Sequence, residues 1–281
     1  MPATKLTTSR VEKPWGKRFL GAGFEAVADG GAPVGEIWFG GGGAEQHALM
    51  VKYLFTSERL SIQVHPNDAQ AQAAGFQSGK EEAWIILDAE PGAVIGLGTV
   101  RALSHAELRA AALDGSIEHL VHWQPVKAGD IIYVPAGTVH AIGAGITLIE
   151  VQQNIDLTYR LYDYGRPRAL HLDEGVAVSR AEPFMIDARI LALGGDSQAL
   201  VQGGKFVIEQ WRWSGARTLT LPAGVEGLLI PVAGSGAVDA QRWSGGECWH
   251  VTGTVPVTIN RGSDLLFATP GPEPLCHFEP S

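Results

Sequence analysis

The chain has 281 residues, 45% of them hydrophobic, enough apolar side chains for one large or two smaller cores. Thirty acidic against 21 basic side chains leave a formal charge of −9, which argues against nucleic acid or an anionic membrane as main partner, because both need a surplus of Lys and Arg on some face. A few local cations can still hold an anionic metabolite. Only two cysteines occur, Cys248 and Cys276, the N-terminal stretch has no apolar core of signal-peptide length, and no apolar run approaches the ~20 residues of a membrane span, so a reducing cytoplasm is the expectation.

Thirty-six glycines and 16 prolines punctuate short runs rich in Val, Ile, Leu, Trp and Thr, from "PVGEIWFGG" to "DLLFATPG". That pattern predicts an antiparallel sandwich or barrel. In "LSIQVHPNDAQAQ", Gln63 and His65 stand two apart in an extended run and share one face, while Ile62 and Val64 share the other. A short helix is expected from Asn67 to Gly75, after the proline. "GKEEAWIIL" follows, with Lys80 and Glu82 at the start of a strand. A second helix is predicted from Ser104 to Leu113, with Ser104 and Glu107 as a capping box, running on to Leu120 as an insertion between strands. The strands resume with "GDIIYVPAGTVHAIGAGITLIEVQQ". The polar segment "HLDEGVAVSRAEPFMIDARI" is expected to link or bridge to a further set of strands. Taken singly, these polar residues have ordinary structural readings. His65 and His140 suit buried strand-end or turn histidines, Lys80 and Glu82 a solvated strand start, and Arg160 a partner of Asp156 or Asp163.

"KAGDIIYVPAGTVHAIGAG", a Gly-Asp turn, an apolar strand, Pro-x-Gly-x-x-His and another glycine-flanked strand, resembles the second motif of a cupin, a small jelly-roll barrel with a metal in its mouth. The later run from "EGLLIPVAG" to "FATPG" has similar spacing without paired His and acidic residues. The resemblance therefore implies a mainly β fold of two cupin-like jelly-roll barrels with short helical insertions. Residues 1–182 would form the metal-binding barrel, with its insertion near 104–120, and residues 183–281 a metal-free one. Gln63, His65, Glu82 and His140 offer two imidazoles, a carboxylate and an amide oxygen. Such a set suits Zn²⁺, with Mn²⁺, Co²⁺ or Fe²⁺ also compatible by ligand type.

Together "KPWG", "GEIW", "LSIQVHPND", "GKEEAWIIL" and "PAGTVHAIGAGITLIEVQQNIDLTYRLYDYGR" are similar to class I mannose-6-phosphate isomerases in their short bacterial form, in order across Lys13 to Arg166. The resemblance places the zinc ligands, one ion per chain, on Gln63, His65, Glu82 and His140. It places the catalytic lysine on Lys80 and the catalytic arginine on Arg160, with both also contacting substrate. Glu150, whose strand would carry it into the same barrel, would be an acid-base or substrate-orienting group, Ser61 would lie near the phosphate, and Trp15 and Trp38 would pack against the barrel with Glu36 at its rim. The helical domain that larger members carry between their barrels has no counterpart of sufficient length. The implied reaction interconverts mannose 6-phosphate and fructose 6-phosphate through an enediol, with Lys80 at a lowered pKa, Glu150 and a metal-linked water all open as the base. A cupin oxygenase and a non-catalytic sugar-binding cupin are the alternatives. The first commonly takes more imidazoles, and the second has no use for a positioned Lys80 and Arg160.

Overall fold

The computed structural model describes residues 1–40, 47–185, 191–194, 197–274 and 277–280, with Cys276 outside that set. Their strands form four antiparallel sheets. In spatial order, the first sheet runs Tyr159–Tyr162, Ile62–Val64, His140–Ile142, Val94–Thr99 and Val121–Pro125. The second runs Thr8–Lys17, Val34–Phe39, Leu49–Phe55, Ile146–Gln153, Glu82–Ala89 and Ile131–Val134. The third is built around Trp249–Thr252, Glu226–Ala233, Asp264–Pro270 and Phe206–Trp211, and the fourth around Thr254–Ile259 and Gly215–Thr220. The result is the expected mainly β, cupin-like architecture, in which paired sheets face one another across apolar cores.

The period-2 alternation of each strand assigns its residues to layers. Ile62, Val64 and Leu161 leave the outer face of the first sheet to pack on Leu108, Ala112 and Val176 of helices. Between the first and second sheets lie Leu54, Trp84, Ile86, Ile95 and Leu148. From the opposite face of the second sheet, Tyr53, Phe55, Ile85 and Val151 pack against Phe206, Ile208, Leu228 and Leu266 of the third. Trp211, Leu229 and Phe267 then meet Leu219, Val238 and Val257 across the last gap. Because the second sheet is covered on both sides, its strands read as near-continuous apolar runs such as "AWIIL". The first strand of the chain, Ala3–Lys5, pairs with Trp249–Val251 and so joins the third sheet.

Helix α1 is Asp68–Ala73, shorter at each end than the Asn67–Gly75 expectation, because Asn67 is its N-cap and makes a reciprocal capping box with Gln70. Helix α2 is His105–Asp114 with the expected Ser104 and Glu107 box. It does not run on to Leu120. Gly115, in the left-handed region at φ 82°, ends it, and a separate turn of helix, α3, spans Ile117–Leu120. The polar segment before residue 183 contains helix α4, Leu172–Val178, whose Val176 packs on the first sheet. No helix among the described residues is long and apolar enough to cross a membrane.

Candidate active site

The gap between the first and second sheets is apolar at one end and polar at the other. The strand Ile62–Val64 lies between Tyr159–Tyr162 and His140–Ile142, with Gln63 opposite both Arg160 and His140. Since Ile62 and Val64 turn toward the helices, Gln63 is left facing the gap. Across it, the second sheet sets Glu150 opposite Lys52 and Trp84, and Gln152 opposite Glu82. All of these polar residues occupy positions that alternate with core residues.

Three of the four expected metal ligands form a tight cluster. His65, Glu82 and His140 are almost fully buried, and their ligand atoms lie within 4.8 Å of one another. His65 Nδ1 donates to the Leu157 carbonyl at 2.8 Å and His140 Nδ1 to that of Thr138 at 2.9 Å. Each bond fixes the tautomer and leaves Nε2 as a lone pair aimed at Glu82, 3.3 Å away for His65 and 3.2 Å for His140. Gly137 N–H donates to the His65 carbonyl, tying the Pro-x-Gly-x-x-His turn to the strand end.

Gln63 reaches the same place. Its amide nitrogen is 3.2 Å from His140 Nε2, while its oxygen accepts from Ser61 Oγ at 3.1 Å. Rotating the amide by half a turn presents the oxygen to the cluster, the orientation a cation requires.

Electrostatics favour a cation here. Burial alone would raise Glu82, but the Lys80 ammonium leads the charges that outweigh it and hold the carboxyl well below its ordinary range. Burial, then the Lys80 ammonium, pull His65 down to about 3, and burial lowers His140, so both imidazoles are neutral. Lys80 Nζ is 2.5 Å from Glu82 Oε2, while Oε1 has no donor. A fully buried carboxylate with one ammonium on Oε2 and no donor on Oε1, facing two imidazole lone pairs, fits a divalent metal.

The remaining expected residues converge around an adjoining cavity of about 150 Å³, lined among others by Ser61, Gln63, Lys80, Glu150 and Arg160. Lys80 is only 4% exposed, so it is not the solvated strand-start charge its sequence neighbours suggest. Burial works to lower it, but Glu150 and Glu82 prevail and raise it, contrary to the lowered pKa that a lysine base requires. Gly79 makes this placement possible. A Cβ there would sit 2.4 Å from backbone atoms of Pro66 and Asn67, where Lys80 N–H bonds the Pro66 carbonyl. Arg160 Nη1 donates to the Ala169 carbonyl and its Nε is buried without a partner. Asp163 is bonded to Arg166 and Arg168, not to Arg160.

Trp15 packs in the core as expected. Trp15, Glu36 and Trp38 also line the cavity, with Trp38 Nε1 donating to Glu36 Oε2 at 2.5 Å. Lys52, absent from the sequence expectations, is 5% exposed. Its Nζ lies 4.3 Å over the Trp38 ring and 3.7 Å from Glu150 Oε1. Burial, with Lys80 adding to it, lowers its pKa despite Glu150, whereas burial and then Glu82 raise Glu150. The signal for Lys52 was a lone cation in "LMVKYLF", on the face opposite Val51 and Tyr53.

No family model matches the chain. It is 37% identical over 223 residues to a mannose-6-phosphate isomerase of Streptococcus mutans, a match covering 74% of this chain and 70% of that protein. The crystal structure of the mannose 6-phosphate isomerase from Bacillus subtilis superimposes with a TM-score of 0.78 at 26% identity, over 95% of this chain and 99% of that one. A zinc-bound mannose 6-phosphate isomerase shares the fold at a TM-score of 0.71 and 15% identity, over 96% and 100%. With the ordered motifs, the layered β architecture and a relative this similar over most of both lengths, the chain belongs to the mannose-6-phosphate isomerase family.

Proposed function

We propose that the chain is a metal-dependent aldose-ketose isomerase interconverting mannose 6-phosphate and fructose 6-phosphate, with Zn²⁺ as the resident ion held by His65, Glu82, His140 and a rotated Gln63. The supporting observation is the buried His65, Glu82 and His140 cluster, its three ligand atoms within 4.8 Å of one another and Glu82 Oε1 without a donor, at the wall of a cavity rich in cations. A bound divalent ion supplies a fixed positive charge that favours the oxygen anion of an enediol.

The chain's own residues supply the remainder. Lys13, Lys52, Lys80, Arg160 and Arg168 line the cavity against Glu36, Glu150 and Asp156, a local positive excess in an acidic protein that suits an anionic substrate. Moving a proton between C1 and C2 needs a group that exchanges one near neutral pH. Glu150 and Lys52 are pushed in opposite directions, the acid up and the base down, and stand 3.7 Å apart beside the cavity. They form the acid-base pair. Lys80, ion-paired to Glu82 and Glu150, acts as a charged donor, and Arg160 adds a fixed guanidinium for the oxygen that becomes negative. With Gln63 rotated, its amide nitrogen faces the Ser61 hydroxyl 3.1 Å away, which then accepts from it, so Ser61 still orients Gln63 and contributes to the substrate pocket. We read residues 1–182 and 183–281 as two units, with the strand Ala3–Lys5 of the first crossing to pair in a sheet of the second. The buried thiol Cys248, pushed up by burial, suits a reducing cytoplasm.

Protein loaded in turn with Zn²⁺, Mn²⁺ and Co²⁺ and incubated with fructose 6-phosphate should form mannose 6-phosphate, and the chelator-treated protein should not. Absence of product with all three ions would refute the assignment.

A further inference from the structure

Away from the cavity, the second and third sheets bring together His47, Glu226 and His250, whose ligand atoms also lie within 4.8 Å of one another. We infer that His47, Glu226 and His250 form a second transition-metal site that joins the two sheets, taking Zn²⁺ or an ion of like preference. Leu228 is opposite His250 in the third sheet, and Glu226, two residues before Leu228, shares that face. The pairing directs both polar side chains toward the second sheet, where His47 stands two residues before the strand Leu49–Phe55.

Glu226 Oε2 is 3.4 Å from His47 Nδ1 and 2.9 Å from His250 Nε2, and the two rings are tilted by 36° with centroids 4.3 Å apart. For Zn–N and Zn–O bonds of about 2.0–2.2 Å in tetrahedral geometry, neighbouring ligand atoms are roughly 3.3–3.5 Å apart. The His47 distance falls within that range and the His250 distance is shorter than it, so a small outward shift of one side chain suffices.

The surrounding bonds hold the ligands in place. The Ala48 amide donates to Glu226 Oε1, leaving Oε2 for the ion, and Asn154 Nδ2 donates to the His47 carbonyl at 2.7 Å. Polar groups behind the ligands orient metal sites in this way. His47 is 9% exposed, and the Glu226 and His250 side chains 25% and 19%, so the cluster is neither a free surface nor sealed. Glu226 borders an open hollow of about 420 Å³, also lined by Ala48 and Thr252, from which water can complete a three-ligand site. The competing arrangement is a carboxylate that only accepts hydrogen bonds from two imidazoles.

Metal content after Zn²⁺ loading and desalting separates the two. Wild-type protein should retain two ions per chain, His250→Gln one and His65→Ala one. In His65→Ala protein this cluster is the only such group remaining among the described residues. Zinc at about 100-fold over its Kd should then raise Tm by roughly 5 °C. That rise should vanish in His65→Ala combined with either His250→Gln or His47→Gln, so the test survives if one variant folds poorly. His250→Gln loaded at the first site should keep wild-type kcat. A single ion in wild-type protein, two ions retained in His250→Gln, or a Tm rise that persists in both double variants would overturn the inference.

Discussion

His65 shows how a bond made away from the site decides what the site can do. Its Nδ1 proton is committed to the Leu157 carbonyl, so the other nitrogen offers only a lone pair, and burial keeps the ring neutral. His65→Ala should therefore lose metal on dialysis and activity with it, and excess metal should restore part of that activity, because losing one ligand weakens a site by orders of magnitude without abolishing it. A core histidine would instead show lower stability at unchanged metal content. Arg160 answers to a different measurement. Its free Nε and its place on the cavity wall suit a charge that matters as the substrate oxygen becomes negative. Arg160→Ala should keep its metal and lower kcat about 10²–10³-fold, ~3–4 kcal/mol of barrier, with KM changed less. Lysine should rescue poorly, because an ammonium lacks the planar fork of donors. For Glu150→Gln, which keeps the shape and loses the titration, kcat should fall about 10²–10⁴-fold and the kcat pH profile should lose one limb. An unchanged profile would move the proton to another group.

At the scale of elements, short-range rules were readable wherever the local sequence settles the outcome. The alternation in "LSIQVHP" sorts Gln63 from Ile62 and Val64, and the Ser104 and Glu107 box fixes the start of α2. The break at Gly115 was less legible, since Ile117 and Leu120 continue an apolar pattern on a new helix. Lys52 was missed because its strand is buried on both faces, and a single lysine in a long apolar run does not say which neighbours will meet it. Only the pairing with Ile146–Gln153 brings it to Glu150. The Gly-Lys phrase has a reason that only packing reveals. Gly79→Ala would drive a methyl group into the Pro66 and Asn67 backbone and displace Lys80 from Glu82. Metal retention and kcat should both fall in that variant, and wild-type values for both would show that the turn can relax. The cap of α2 carries a pH signature. Hydrogen bonds from the Ser104 backbone and hydroxyl, then Arg101, lower Glu107 to about 2. A carboxylate depressed on folding stabilises above its unfolded pKa, and that contribution is lost as pH falls from about 4.5 toward 2. Protection of α2 amides from exchange should decline over that window in wild-type protein, and Glu107→Gln should flatten the decline.

For the whole molecule, the decisive surface is the one between the second and third sheets. Tyr53, Phe55, Ile85 and Val151 meet Phe206, Ile208, Leu228 and Leu266 there, all almost fully buried, although the cavity beside His65, Glu82 and His140 lies on the other side of the second sheet. Composition and strand spacing indicate two sets of sheets without saying that they share a core, because apolar residues on both faces of a strand look alike whether a helix, a sheet or a second chain covers them. The covering sheet also takes its edge strand Ala3–Lys5 from the opposite end of the chain. A chain ending near Arg180 would keep Gln63, His65, Glu82, His140 and every residue lining their cavity, yet it would strip the cover from the second sheet and leave Ala3–Lys5 without its partner strand. Exposed apolar sheet faces and unpaired strands associate with their own kind. The truncated chain should be recovered mainly as aggregate, or as soluble protein that binds an apolar dye and unfolds well below the full chain. A monomeric truncated chain with full kcat and an unchanged Tm would show that the second sheet needs no cover. The site would then owe its geometry to the first two sheets alone.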